Sequence, residues 1–134
     1  MTKNPVMMPA DATLVEAAQA MRDRNIGDVI VLKSNADQEA CGIVTDRDIV
    51  VRGIASEHQP QDTTLDSICR HQLISVAPTD PVKKAVDLMM QRSVRRLAVV
   101  EGSRPVGIVS MGDLAVERDP KSALGQVSQA PPNN

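Results

Sequence analysis

The sequence GIVTDRDI at residues 42–49 returns as GIVSMGDL at residues 107–114, and each copy ends a segment of matching layout. Upstream of these motifs, equivalent residues such as Ala17 and Ala85 stand at a constant offset of 68 (85 − 17). The offset falls to 65 (107 − 42) after a turn that is shorter in the second copy, and loop length can change without altering a fold. Internal repetition fixes the architecture before single residues are interpreted. The chain is therefore predicted to fold as two similar units in tandem.

Within copy one, the hydrophobic pattern changes from helical to strand-like and back. Apolar residues follow Thr13 at helical spacing, and Thr13 with Glu16 matches a capping box, which predicts a helix. Two short runs of β-branched residues then predict adjacent strands. A second helix is predicted directly after the second of these strands. The predicted elements are a weak strand at 6–8, a helix at 13–24, strands at 29–32 and 41–44, and a helix at 46–54.

Copy two repeats this order, so the predicted fold class is α/β (α+β), built from two β-α-β-β-α repeats related by pseudo-two-fold symmetry. Asp80 is the expected N-cap of its first helix, and Pro81 the expected first-turn residue. The predicted elements of copy two are 73–76, 81–92, 97–100, 106–109 and 111–118. The predicted organisation is repeat one at 1–56, a polar linker at 57–63, repeat two at 64–118 and a disordered tail at 119–134.

The duplicated motif, Gly followed by two apolar residues, Thr or Ser, two variable residues and Asp, resembles the CBS (cystathionine β-synthase) domain. Two such domains in tandem form a pair often called a Bateman module, and the resemblance covers residues 1–118. The stretch at 45–53 is similar to that of small stand-alone bacterial CBS-pair proteins. Two departures are Ile30 and Ala98, which stand where the family often has proline. The segment 64–68 has no counterpart before Met1, so a trimmed start is an expectation.

Composition narrows the class of protein. The chain has 134 residues and is 42% hydrophobic, yet it contains no Phe, Tyr or Trp, so its core must be aliphatic and padded by Met. No apolar run approaches the roughly 20 residues that span a bilayer, and no leader resembling a signal peptide is visible. The expectation is a cytoplasmic protein without a membrane partner.

Charge argues against nucleic acid as a partner. The net charge is −2, and the chain lacks both the basic face that duplex binders use and the aromatic platforms that single-strand binders use. The one basic cluster is Arg92, Arg95 and Arg96, which is either a solvated helix end or part of an anion site.

The cysteines indicate neither a disulfide framework nor a zinc site. Cys41 opens a strand and aligns with Val106, which favours a buried apolar role. Cys69, His71 and the distant His58 could offer metal ligands, but their spacing matches no structural zinc pattern. No metal site is therefore predicted.

The turns that lead from a strand into a helix carry the candidate binding residues. Thr45 with Asp48, and Ser110 with Asp113, stand where backbone N–H groups and the helix dipole favour an anion. A carboxylate held there could accept both hydroxyls of a ribose, as in dinucleotide-binding folds. The same spacing is also a variant of the capping box, which only closes a helix. Spacing alone favours the capping interpretation without excluding a ligand.

The resemblance favours ligand binding, because related CBS pairs typically bind AMP, ADP, ATP or S-adenosylmethionine in the cleft between repeats. It implies that Asp48 and Asp113 bind ribose, and that Thr45 and Ser110 supply the hydroxyl three residues earlier. It also implies that Arg95 contacts phosphate.

Two arginines that are not repeated make the copies unequal. Arg47 matches a family position that can reach the phosphate held by the other repeat. Its copy-two equivalent is Gly112, and the copy-one equivalent of Arg95 is Gly27 (95 − 68). The hypothesis is that the Asp113 site holds a nucleotide phosphate, while the Asp48 site prefers an uncharged tail or stays empty. With no aromatic ring available, the adenine pocket is expected to be aliphatic, with Val94, Ile74 or Val76 as its floor.

Enzymatic activity is not expected. Residues 107–112 have the Gly spacing of a phosphate-binding loop, but the Lys and Ser or Thr that should follow are absent. No nucleophile and base can be assembled around His58 and His71. The predicted function is regulatory, as an adenosine-nucleotide sensor that requires no cofactor, acts as a homodimer and signals to an unidentified protein target. The alternative is a ligand-free dimeric scaffold, for which Val86, Met89, Met90 and Leu114 are candidate contacts.

Overall fold

A computed structural model describes residues 2–33, 39–70 and 73–118, with side chains for 4–33, 39–70 and 73–114. The predicted disordered tail at 119–134 and the candidate ligand His71 lie outside the described residues. The predicted β-α-β-β-α order is confirmed in both copies.

Copy one is preceded by a two-residue strand. Its first helix is closed at both ends by its own sequence: Thr13 Oγ1 accepts a hydrogen bond from Glu16 N over 3.2 Å, the Glu16 carboxylate reaches back to Thr13 N, and Asn25 ends the helix at φ 60°. Asn tolerates this left-handed backbone better than most residues. The elements are β1 (Thr2–Lys3), β2 (Met7–Pro9), α1 (Leu14–Arg24), β3 (Asp28–Leu32), β4 (Ala40–Thr45) and α2 (Asp46–Asp48).

The helix predicted over 46–54 begins and ends as expected but changes type inside. After α2, residues Ile49–Ile54 form a π-helix, with Ala55 N donating to Val50 O over 2.8 Å. Gly53 allows this wider helix to approach α1, because a methyl group at Gly53 would lie 2.6 Å from Leu14 Cδ1. π-Helices are rare and occur mostly as single turns, so hydrophobic spacing did not predict this one.

A second short helix that was not predicted, α3 (Leu65–Ile68), precedes copy two. Copy two then forms β5 (Ser75–Val76), α4 (Val82–Arg92), β6 (Arg96–Glu101), β7 (Arg104–Ser110) and α5 (Met111–Arg118).

The predicted role of Asp80 as an N-cap was wrong. Pro81 occupies the N-cap position of α4, and no side chain caps that end. Asp80 instead accepts a hydrogen bond from Ala77 N over 2.8 Å and forms an ion pair with Lys84, at 3.1 Å. The backbone bond from Ala77, followed by the contact with Lys84, lowers the pKa of the Asp80 carboxyl.

The chain divides into two compact units. The N-terminal unit is residues 5–73, and the described part of the C-terminal unit is residues 2–4 and 74–118. Each unit thus combines one repeat with the short segment that precedes the other repeat.

The sheets of the two units share one pattern. In the N-terminal unit β2 pairs parallel with β3, and β3 pairs antiparallel with β4. In the C-terminal unit β5, β6 and β7 pair in the same way, and β1 adds antiparallel to β7. Both hairpins contain a bulge at the equivalent place, after Val31 and after Val99.

Each unit has its own aliphatic core, as the absence of aromatic residues requires. The core of the N-terminal unit includes Leu14, Val29, Val31, Val44, Leu65 and Ile68, and that of the C-terminal unit includes Val76, Ala85, Met89, Leu97, Val99 and Leu114.

The segment predicted as a linker at 57–63 is hydrogen-bonded to α1. Leu14 N donates to Thr63 O, and Val15 N donates to Pro60 O.

In the described ranges, none of the helices has the length and apolar character to cross a bilayer.

Candidate functional site

The turn after β7 brings Ser110, Asp113 and Arg95 together in the C-terminal unit. Ser110 N donates to Asp113 Oδ2 over 2.9 Å, and Asp113 N donates to Ser110 Oγ over 3.1 Å. The next amide, Met111 N, donates to Arg95 O over 2.9 Å, which fixes the backbone of Arg95 beside this turn. The Arg95 side chain is exposed. A hydroxyl, a carboxylate and a guanidinium are thus carried on one turn and the segment bonded to it.

In the N-terminal unit, the turn after β4 has the same pattern of hydrogen bonds. Thr45 N donates to Asp48 Oδ2 over 2.9 Å, and Asp48 N donates to Thr45 Oγ1 over 3.0 Å. Asp46 N donates to Gly27 O over 3.0 Å, which matches the bond between Met111 and Arg95. The structure therefore confirms that Gly27 is the equivalent of Arg95.

Both capping boxes are formed, so the capping interpretation of these residues is correct as far as it goes. It does not exclude ligand binding. In each turn the aspartate accepts the amide hydrogen of the hydroxyl residue at Oδ2, and a carboxylate has about four acceptor sites in all. Asp48 and Asp113 are both half-buried, which leaves part of each side chain accessible.

The residues predicted to contact adenine differ in how much surface they offer. Ile74 and Val94 are partly buried and pack against the core of the C-terminal unit. Ile74 O accepts a hydrogen bond from Ala98 N, and Val94 follows the left-handed end of α4. Val76 is 7% exposed and belongs to that core, so little of its surface remains for a ligand.

Arg47 lies in the first turn of α2 and is exposed. Its backbone N–H donates to Asp46 Oδ1 over 2.8 Å, which holds the turn but leaves the guanidinium outside the capping network. Its copy-two equivalent, Gly112, has no side chain to offer.

The predicted dimer contacts are corrected in part. Met89 and Leu114 are buried in the core of the C-terminal unit, at 7% and 5% exposure, so they present almost no surface to a partner. Val86 packs against the same core. Met90 is 75% exposed and remains a candidate.

Sequence spacing gave no reason to place Cys41 beside Cys69, yet the two thiols lie close enough for each to affect the pKa of the other. Both side chains are buried. No set of three or more His, Cys, Asp or Glu residues able to hold a metal occurs in the part of the chain that the structure describes.

Comparison with known proteins gives a consistent result. The CBS domain family model matches residues 1–53 and 65–118. A CBS domain-containing protein of Bacillus subtilis, YhcV, is 33% identical over 125 residues, which cover 93% of this chain and 86% of that protein.

Two solved structures are also similar. Hypoxic response protein I, solved with two coordinated zinc ions, has a TM-score of 0.76 at 31% identity, covering 87% of this chain and 94% of that one. A CBS domain protein from Pyrobaculum aerophilum, complexed with AMP, has a TM-score of 0.76 at 23% identity, covering 95% and 92%.

Proposed function

Because the chain belongs to the CBS domain family, with one domain matched in each half, we propose that it is a regulatory protein that binds an adenosine-containing ligand. The candidate ligands are AMP, ADP, ATP and S-adenosylmethionine. The proposal assigns no catalytic activity to the chain and places it in the cytoplasm. The proposal includes a change of conformation or assembly on binding. Such a change requires that the ligand bind the two states of the protein with different affinity.

The observation that carries the proposal is the turn after β7. Asp113 is the proposed acceptor for the ribose hydroxyls, Ser110 the accompanying hydroxyl, and Arg95 the phosphate contact. The backbone hydrogen bond between Met111 N and Arg95 O supports this assignment, because it keeps the arginine beside the capped turn. A guanidinium and a phosphate form a charge-assisted, often bidentate hydrogen bond.

The turn after β4 supplies a comparison site within the same chain. It has the same capping bonds but Gly27 in place of Arg95. We therefore propose that a phosphate-bearing ligand prefers the Asp113 turn, and that the Asp48 turn takes an uncharged group or stays empty. The further contact of Arg47 with phosphate rests on the family resemblance alone.

The adenine is proposed to lie on aliphatic surface from Ile74 and Val94, which pack against the core that contains Val76. AMP is the first ligand to test, because the related fold from Pyrobaculum aerophilum is complexed with AMP. The 23% identity to that protein supports the shared fold and not a shared ligand.

Isothermal titration with the four ligands tests the proposal. Replacing Arg95 by Ala should weaken AMP and ATP binding about tenfold or more, since a hydrogen bond to a charged group contributes roughly 1.5–3 kcal/mol. Arg92→Ala is the matched control, because it removes an equal charge from the last turn of α4. Gly27→Arg should strengthen phosphate binding at the first turn, and no positive φ at Gly27 opposes it.

Two outcomes would contradict different parts of the proposal. If Arg95→Ala and Arg47→Ala leave affinity unchanged while Asp113→Ala abolishes it, the ligand binds but the phosphate assignment is wrong. If folded, unliganded protein gives no heat with any of the four ligands, nucleotide binding is wrong. Asp113→Asn separates cap from ligand contact, because the amide oxygen can still accept from Ser110 N.

The second candidate is a ligand-free dimeric interaction module. The specific observation that favours it is the cap itself, which gives Thr45, Asp48, Ser110 and Asp113 a structural role without any ligand. Met90, 75% exposed on α4, is its proposed contact. Gel filtration of wild type and Met90→Glu, with and without AMP, distinguishes a constitutive dimer from a ligand-dependent one.

A further inference from the structure

Cys41 and Cys69 form a buried thiol pair within the N-terminal unit. Their side chains are 7% and 4% exposed. The segment that carries Cys69 crosses directly over β4, because a methyl group at Gly42 would lie 2.6 Å from Cys69 Sγ and 2.6 Å from Arg70 O. The two cysteines are 28 positions apart (69 − 41), so the fold and not the local sequence brings them together.

The β-bulge in the hairpin explains how Cys41 reaches this position. Val31 pairs with Gly42 and Leu32 pairs with Ala40, so Cys41 is the extra residue of the bulge. A bulge can re-aim the side chain of its extra residue. In the C-terminal unit the same bulge leaves Val106 unpaired between Pro105 and Gly107, so this position carries no thiol there.

A positive charge lies near the pair. Burial, followed by the neighbouring Cys41 and then by Asp66, raises the pKa of the Cys69 thiol to about 12, and the charge of Arg52 in the π-helix acts in the opposite direction. Burial also raises the pKa of Cys41. Arg52 Nη1 is fully buried and has no hydrogen-bond partner among the described residues. An unpaired buried donor is unfavourable, and a negative charge nearby would reduce that cost.

We propose that Cys41 and Cys69 are a redox-active dithiol that closes into an intrachain disulfide when the protein meets a small-molecule disulfide, with Arg52 as the positioning residue that favours the Cys69 thiolate. Cys69 Sγ lies against Gly42, the residue after Cys41, and the proposal requires the two sulfur atoms to close to the S–S bond length of about 2.05 Å. Inside cells, where thiols are kept reduced, protein disulfides are usually transient or regulatory.

The exchange balances in two steps, with glutathione disulfide as the oxidant. The Cys69 thiol loses its proton, and its thiolate attacks one sulfur of glutathione disulfide, which breaks that S–S bond and releases one glutathione thiolate. The Cys41 thiolate, formed by loss of its own proton, then attacks Cys69 Sγ and displaces the second glutathione. Two protons taken from the cysteines return to the two glutathione thiolates, and two electrons pass from the protein to the oxidant.

The disulfide would join the end of α3 to β4, four residues before Thr45 (45 − 41). It would restrict the unfolded chain by closing a loop between the two cysteines, and therefore raise the thermal midpoint. The bond would also hold the strand that leads into the candidate turn of the N-terminal unit.

The test equilibrates the full chain with glutathione disulfide and glutathione at several ratios, then denatures and alkylates it. The expected result is loss of both free thiols together and a linked pair of tryptic peptides, residues 34–47 and 53–70. The thermal midpoint should rise in the oxidised wild type and return after reduction. Cys41→Val, which copies Val106 of the other unit, and Cys69→Ala should show neither change.

Three results would overturn the proposal. The first is that both cysteines are still fully alkylated at the most oxidising ratio. The second is that the disulfide joins two chains, and the third is that glutathione remains bound to one cysteine. For Arg52, the expected result is that Arg52→Met moves the pH profile of the oxidation rate to higher pH and that Arg52→Lys largely restores it. Identical pH profiles in all three proteins would remove Arg52 from the proposal.

Discussion

The turn after β4 and the turn after β7 have the same capping bonds but lead into different helices. Both turns pair a hydroxyl with an aspartate three residues later, at distances between 2.9 and 3.1 Å. The first turn leads through α2 into the π-helix at Ile49–Ile54, whereas the second leads into the regular helix α5. A repeated motif therefore specifies the cap and the direction of the chain, while the residues that follow determine the helix type.

The two turns also differ in the residue beside them. Arg95 and Gly27 occupy the same backbone position, each accepting a hydrogen bond from the first amide of the following helix. The two copies share this backbone contact and differ in the side chain beside it. Specialised binding by one copy can thus arise without any change of fold.

The segments that precede the two repeats differ as well. The first forms β1, which pairs with β7 at Thr2 and Lys3. The second forms α3, whose Leu65 and Ile68 are buried in the core of the N-terminal unit. The N-terminal unit therefore depends on a helix and on the chain that crosses Gly42, a contact that can be broken selectively.

The largest expected effect comes from closing the space at Gly42. Gly42→Ala would push a methyl group against the backbone oxygen of Arg70 as well as Cys69 Sγ, and backbone cannot move aside as a side-chain end can. Overpacking costs typically 1–3 kcal/mol, and we expect about 3 kcal/mol or more here. Urea unfolding would measure the loss.

Gly53→Ala is the matched control. Its methyl group meets only Leu14 Cδ1, and alanine favours a helix over glycine by about 1 kcal/mol, which offsets part of the clash. A smaller loss than at Gly42 is expected. Equal losses would show that the segment over β4 can move away from a methyl group that would otherwise lie 2.6 Å from its atoms.

Most of the repeat could be predicted because its signals are local. α1 was predicted at 13–24 and found at Leu14–Arg24, and α5 was predicted and found at the same bounds, since capping residues and apolar spacing mark both. The pairing of Ser110 with Asp113 followed from the same local chemistry. Its function beyond the cap stays a prediction.

The parts that could not be predicted depend on contacts distant in sequence. The apolar residues of Ile49–Ile54 stand at the same sequence positions whether the segment forms a π-helix or an α-helix. The hydrophobic pattern therefore does not distinguish the two. Asp80 resembled a cap because the competing bond to Ala77 is a property of the folded turn. The approach of Cys69 to Cys41 required α3 to pack on the N-terminal unit.

Alkaline pH should affect the stability of the two units differently, because the buried thiols belong to the N-terminal unit. The folded pKa of Cys69, about 12, lies above its ordinary value of 9.0, so folding favours the protonated thiol. That contribution is complete below pH 9.0 and is lost as pH rises toward about 12. In reducing buffer, the urea midpoint of the wild type should fall across this window more steeply than that of Cys69→Ala. Parallel curves would contradict the assigned pKa.

The smallest effect tests whether the two capped turns are energetically equivalent. Thr45→Ala and Ser110→Ala each remove the side-chain acceptor for the aspartate N–H, so each should lose about 1 kcal/mol, within the range of roughly 0.5–2 kcal/mol known for N-caps. Urea unfolding of the ligand-free protein measures both. Similar losses would mean that the two caps are equivalent, so the proposed difference in phosphate binding would depend on Arg95 and Gly27. A much larger loss for Thr45→Ala would mean that the π-helix depends on its cap more than α5 does, and the equivalence of the turns would be wrong.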